Sequence, residues 1–144
     1  MIFNGTDLIL KVSPSSTAGT PDTPVKLMHS QNVSLSMNVD TIDISTKDSA
    51  GFRDLLGGQK SFSLSADGLM DFEATAGDTD VAELFDQMMD RTAVSFTFAL
   101  ATPAGYTITG DGFITSLEIS GGTEDAPTYS VSIEGTGAIT KTAV

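Results

Sequence analysis

A single histidine, His29, and an acidic run, Asp71, Glu73, Asp78 and Asp80, are the side chains whose types and spacing come nearest to chemistry in this sequence. His29 stands between Met28 and Ser30 with no second histidine to share a metal, and a lone histidine is far more often structural than catalytic. The acidic run offers the oxygen donors that calcium takes, but it lacks the twelve-residue loop with an internal glycine and a closing glutamate. A solvated loop leading into a helix cap accounts for it. There is no cysteine, so no disulfide, thiolate metal site or cysteine nucleophile is available. Serines are plentiful, yet no Gly-x-Ser-x-Gly elbow sets one up as a nucleophile. Gly110, Gly112, Gly121 and Gly122 are not followed by Gly-Lys-Ser/Thr and mark bends or bulges instead of a phosphate cradle. Nothing here recommends an enzyme, and no cofactor or metal is expected.

The elements that would position such residues point toward contact instead. With 144 residues the chain is long enough for one domain with a core, which we expect to span 1–144. Its net charge of −12, from 19 Asp plus Glu against 7 scattered Lys plus Arg, argues against gripping a phosphate backbone, which needs clustered cations. Acidity of this kind also simply keeps a β-rich protein soluble. The chain opens MIFNGTDLILKV, without a basic leader region, and no apolar run nears the roughly 20 residues of a membrane span. We therefore expect a chain made in a cytoplasm, with no membrane partner.

The dominant period is two. Leu8, Leu10 and Val12 share one phase, and a Ser/Thr/Pro/Gly loop follows over 13–24. Val33, Leu35, Met37 and Val39 then alternate with Ser34, Ser36, Asn38 and Asp40. At Thr41 the phase flips to Ile42 and Ile44, so the strand bends, bulges or leaves the sheet there. Phe62, Leu64 and Ala66 alternate with Ser61, Ser63 and Ser65. Later strands carry Val94, Phe96, Phe98 and Leu100; Tyr106 and Ile108; Phe113, Leu117 and Ile119; and Tyr129, Val131 and Ile133. Half-buried antiparallel strands have this pattern, because successive side chains point to opposite faces. One segment departs from it: over 80–91 Val81, Leu84, Phe85 and Met88 form the stripe of a helix lying on a core, with Asp80 and Glu83 placed as a capping box and Arg91 at the end that favours positive charge. The expected fold is mainly β, an antiparallel sandwich or barrel with one flanking helix and a long inter-strand loop.

That loop, over 41–60, is far longer than a hairpin needs and carries Phe52, Leu55 and Leu56 of its own. Overlong loops with apolar residues usually touch something else. The polar strand faces are rich in Ser and Thr and poor in Lys and Glu, whereas an edge strand is usually blunted by Lys or Pro. Two readings fit: an ordinary wetted face, or a sheet extended by neighbouring copies.

The run Asp40-Thr41-Ile42-Asp43-Ile44-Ser45-Thr46-Lys47-Asp48 with Gly51-Phe52-Arg53, the Ser-alternating strand from Lys60, Gly68-Leu69-Met70-Asp71 and a short helix before another strand resembles the major tail proteins of long-tailed bacteriophages, in the TP901-1-like tail tube group. The similarity runs from about Gln31 to Gly135 by order and position. Related tubes occur in gene transfer agents and contractile injection machines. The resemblance implies two packed sheets with a flanking helix, six subunits to a ring, inner sheets joined into one barrel, and rings stacked into a tube through which the genome leaves. It implies a place in the virion tail, with a tape measure protein, a tail terminator and distal tail or baseplate proteins as partners and with DNA only passing through. On this reading Ser34, Ser36, Asp40, Ser61, Ser63, Ser65, Glu118 and Glu134 are lumen candidates. Thr41, Ile42, Ile44, Lys47, Asp48, Phe52, Arg53, Asp54, Leu55 and Leu56 form an assembly loop, with Phe52, Leu55 and Leu56 as anchors and Arg53 as a partner for an acidic neighbour. Val81, Leu84, Phe85 and Met88 remain helix core. The alternative is a monomeric β-sandwich module for binding, adhesion or decoration of a particle, against which stands the absence of Trp and the presence of only two Tyr.

Overall fold

The structure, a computed structural model, describes residues 8–12, 25–27, 29–70, 81–100 and 105–143. The acidic run at 71–80, the Asp80 cap and the loop at 13–24 lie outside the described residues. Among the described residues alternation becomes seven strands: β1 (Leu8–Val12), β2 (Val25–Lys26), β3 (Ser30–Asp43), β4 (Leu55–Leu69), β5 (Val94–Leu100), β6 (Tyr106–Ser120) and β7 (Thr128–Ala143), with the helix α1 (Val81–Asp90) between β4 and β5. All pairings are antiparallel, in the order β2-β1-β5-β6-β7-β4-β3.

The two layers implied by the resemblance are thus one hydrogen-bonded sheet that folds over itself, bringing β1 near β3. Two long strands serve both layers because they bend at bulges. On β6 an extra residue, Thr115, separates Ile114↔Ile133 from Ser116↔Ser132; on β7, residues 137–139 face Gly110 alone, with Gly137 at φ 74°. The core fills the fold. Leu10, Val12, Leu27, Phe62, Leu64, Ala66, Val94, Phe96, Ile114, Tyr129, Val131 and Ile133 are all buried, and Val81 and Leu84 reach it from α1. Phe62 and Phe96 meet at 5.7 Å between ring centroids, tilted by 59°. A Cβ on Gly135 would run into the Phe62 ring, so this glycine makes the room Phe62 needs.

Three expectations shift in detail. Phe85 is 50% exposed, and Gln87 takes the inward place beside Val81 and Leu84, with Met88 packed partly against the core. The inward face of α1 is therefore turned toward 81, 84 and 87, which leaves Phe85 and Met89 on its outer flank. Phe113 does not share a face with the core: Ile114 is buried, and Phe113 sits opposite Glu134, because the Thr115 bulge changes the phase along β6. Arg91 is also more than a favourable charge. With φ 55° it forms a left-handed cap, its N–H bonding Met88 O (3.3 Å) while Thr92 N–H bonds Gln87 O (3.3 Å), the double closure of a Schellman motif.

Candidate functional site

β3, β4, β7 and the C-terminal half of β6 form a four-stranded layer whose outer face is paved with short polar side chains. Register lines them up in rows: Ser34↔Ser65, Ser65↔Ser132 and Ser132↔Ser116 in one, Ser36↔Ser63 and Ser63↔Glu134 in the next, and Glu118↔Ser130 with Ser130↔Asp67 below. Asn38↔Ser61 continues the face upward. Ser34 and Ser65 share a hydroxyl hydrogen bond of 2.6 Å, and Asn32 Nδ2 donates to Asp67 Oδ2 at 3.0 Å. Two hollows open on this face. One of about 170 Å³ lies among Ser34, Ser36, Ser63, Ser65, Ser132 and Glu134, and one of about 220 Å³ among Asp67, Glu118, Ser120, Tyr129 and Ser130. The Tyr129 hydroxyl is held protonated well above its ordinary range, first by burial and then by the Asp67 charge. A surface of hydroxyls and carboxylates can stay wetted, and among the described residues no three His, Asp or Glu side chains gather as a metal site.

Seven of the eight lumen candidates therefore come together: Ser34, Ser36, Ser61, Ser63, Ser65, Glu118 and Glu134. Asp40 keeps the phase of Ser34 and Ser36 but stands higher, where Gly58 and Gln59 bulge opposite it between Val39↔Lys60 and Thr41↔Gly57. Reading by sequence missed Asp67, Ser116, Ser130 and Ser132, although the last two alternate with Tyr129, Val131 and Ile133 and carried the signal.

The layer has an open edge on each side. Among the described residues no strand pairs with the outer edge of β3, and β5 accompanies β6 only as far as Gly112, leaving residues 113–120 of β6 without a strand partner on that side. Neither stretch contains Lys, Arg or Pro. The direction of the strands alternates across the four, so β3 and β6 run opposite ways.

Beyond the layer, β3 and β4 continue as a hairpin arm. The expected loop over 41–60 is shorter than it looked: Thr41↔Gly57, Ile42↔Leu56 and Asp43↔Leu55 are strand pairs, because the bulge lets the ladder resume after the change of phase. The tip, around a 3₁₀ turn at Lys47–Ser49, holds itself together. Ile44 N–H bonds Asp54 O (3.0 Å), Asp54 N–H bonds Ser45 Oγ (2.8 Å), Ser49 Oγ bonds Asp54 Oδ2 (2.6 Å) and Thr46 N–H bonds Ser49 Oγ (3.1 Å). Arg53, expected to serve an acidic neighbour, pairs with the chain's own Asp43, Nε to Oδ2 at 3.3 Å. The Asp43 carboxyl is held below the usual carboxylate range, first by the Ser45 side chain, then by the Ser45 N–H, with Arg53 adding to both. Lys47 and Asp48 are exposed on the turn. The apolar residues of the arm have no such closure: Phe52 is 78% exposed, and Met37, Val39, Ile42, Ile44, Leu55 and Leu56 are about half exposed.

Solved structures share this fold. A chain from the virion of a native gene transfer agent particle is 25% identical with a TM-score of 0.77, over 99% of this chain and 100% of that one. A chain from the tail of an empty gene transfer agent particle with C6 symmetry is 25% identical with a TM-score of 0.79 over the same shares. The SPP1 tail tube, at 18% identity and a TM-score of 0.75 over 99% of this chain and 80% of that one, agrees in fold. No curated protein matches the sequence. The family model for phage tail tube proteins matches residues 2–141, reaching the family and not a subgroup within it, and the chain belongs to that family.

Proposed function

We propose that the chain is the repeating subunit of a hollow virion tail tube, closing as six-membered rings that stack and conduct DNA at ejection. The observation that carries this is the pair of open edges on the four-stranded layer. Because direction alternates across an even number of strands, β6 of one copy lies antiparallel to β3 of the next when copies are set side by side in the same orientation. A head-to-tail contact of that kind closes into a ring when the rotation permits, and it leaves neither edge of the four-stranded layer exposed. Sixfold symmetry, as in the gene transfer agent tail, gives 6 × 4 = 24 strands. At the usual strand spacing and tilt, such a barrel measures about 45–50 Å between opposite backbones, wide enough for a channel.

The serine face is then the channel wall, and the apolar core lies outside it. Short hydroxyls keep the bore wide and wet. Glu118, Glu134 and Asp67 give it a negative charge that repels phosphates along its length, so DNA slides without a place to stick. The arm supplies contact between rings, and the terminator, tape measure and distal tail proteins engage the tube's ends and bore. A structural subunit of this kind needs no catalytic group.

Imaging the purified chain over a range of salt concentrations tests the reading. Six copies at −12 each carry −72, so added salt should promote tubes by screening over about 8–10 Å. Hollow tubes are expected; a compact monomer at every protein and salt concentration would favour the single-module alternative.

A further inference from the structure

Half-exposed apolar side chains stand on the core side of the four-stranded layer, at its two open edges. Met37 and Val39 on β3 are 52% and 51% exposed, and Ile119 on β6 is 48% exposed. These side chains point away from the serine face: Met37 pairs with Phe62 and Ile119 with Tyr129, both buried in the core, and Val39 keeps the phase of Met37. Leu35 on β3 and Leu117 on β6 share that phase and are packed partly against the core. Each edge therefore carries an apolar strip behind a polar one.

A closed ring of 24 strands limits how two such edges meet. Zero shift would continue the row Ser34, Ser65, Ser132, Ser116 straight onto Ser34 of the next copy. Any other shift must be even, since an odd one would turn the serines of one copy onto the core face of the next. With strands ~4.8 Å apart and a rise of ~3.3 Å per residue, shifts of two, four and six residues per copy tilt the strands by about 19°, 35° and 46°. Barrel strands tilt by roughly 35–45°, which selects four. Strand length then sets the direction. One way brings residues 113–120 of β6 against 34–40 of β3, while the other brings them against 26–32, most of which precede β3.

We propose that the edges join with this shift of four, which sets Ser36 of one copy beside Glu118 of a second, Ser34 beside Ser120 and Asn38 beside Ser116. The proposal rests on the tube reading and adds the register to it. On the core side Leu35 then meets Ile119 and Met37 meets Leu117, so the two half-exposed strips cover each other and seal the wall behind its hydroxyls. Zero shift would instead leave Met37 beside Gly112, where β5 already occupies the edge of β6. The register also spaces the charge. Glu118 enters the row Ser36, Ser63, Glu134 of the next copy, so the two carboxylates stand about 14 Å apart and no two like charges face each other across the seam.

A cysteine scan of the full chain reads the register. Glu118→Cys is held fixed and combined in turn with Asn32→Cys, Ser34→Cys, Ser36→Cys or Asn38→Cys, which report shifts of zero, two, four and six. Only a directly opposite pair comes within the roughly 7 Å that a disulfide spans, so after mild oxidation of assembled protein the Ser36 pair is expected to crosslink about tenfold more than the others. If Glu118→Cys stops assembly, Ser116→Cys with Asn38→Cys is expected to crosslink and Ser116→Cys with Ser34→Cys is not. The apolar seal has its own readout: Met37→Asp should leave the circular dichroism of the unassembled chain unchanged and cut pelletable tube about tenfold. A maximum at Asn32, Ser34 or Asn38, no crosslink in any pair, or wild-type tube yield from Met37→Asp would overturn the register while wild-type tubes leave the tube reading intact. A wild-type chain that never assembles overturns both.

Discussion

The folded-over body and the arm are made from the same alternating strands, yet they treat their apolar residues in opposite ways. Phe62 in the body is 6% exposed under Phe96 and against Gly135, whereas Phe52 in the arm is 78% exposed above a tip that satisfies its own polar groups. In the body, alternation is answered within the chain. In the arm, Asp43, Ser45, Ser49, Arg53 and Asp54 are answered within the chain and the apolar surface is not. The arm is thus a shaped element waiting for a surface, unlike a loop that must be ordered by one, and the entropy lost on docking is reduced accordingly.

Substitutions separate the two regions, read by denaturant titration of unassembled chain at low salt. In the body, Phe62→Ala should lose about 3–5 kcal/mol and Leu84→Ala about 2–5 kcal/mol, since both side chains are buried. Losses under about 1 kcal/mol would mean that the core is not where it is drawn. Gly135→Ala drives a methyl group into the Phe62 ring and should lose about 1–3 kcal/mol; a neutral result would show that Phe62 moves aside freely. Arg91→Gly removes a side chain from a left-handed position and should raise stability by about 1 kcal/mol. The smallest change in stability belongs to the arm: Phe52→Asp should stay within about 0.5 kcal/mol of wild type while blocking assembly. If that variant unfolds, Phe52 is core and the contrast between the regions fails.

Period-two patterning made most strands legible, because one face of each is buried and a slip by one residue would expose it. The serine face was legible for the same reason in reverse. Bulges were harder. The change of phase at Thr41 with Gly57 and Gly58 reads equally as a strand end or as a two-for-one bulge, and only the resumed pairing of Ile42 with Leu56 distinguishes them. Thr115 hid the exchange of Phe113 for Ile114 in the same way. On α1 the apolar stripe fixed the helix but not its rotation, since Phe85 and Gln87 flank the same buried pair. The order of strands was not legible at all: β1 lies beside β5 and β7 beside β4 through contacts between residues distant in sequence, and periodicity carries no information on partners.

The central claim is the seam between β3 of one copy and β6 of the next. Because the chain has no cysteine, introduced pairs report it cleanly. Ser34 or Ser36 on β3 and Ser116 or Glu118 on β6 lie three strand spacings apart, about 14 Å, beyond the roughly 7 Å that a disulfide spans, so any bond between them joins two copies. Four paired variants, combining Ser34→Cys or Ser36→Cys with Ser116→Cys or Glu118→Cys, cover the neighbouring registers. After mild oxidation of assembled protein, the account predicts a non-reducing ladder from monomer to hexamer in at least one variant, collapsing to monomer on reduction. Monomer alone in all four, from preparations that still form tubes, would contradict it.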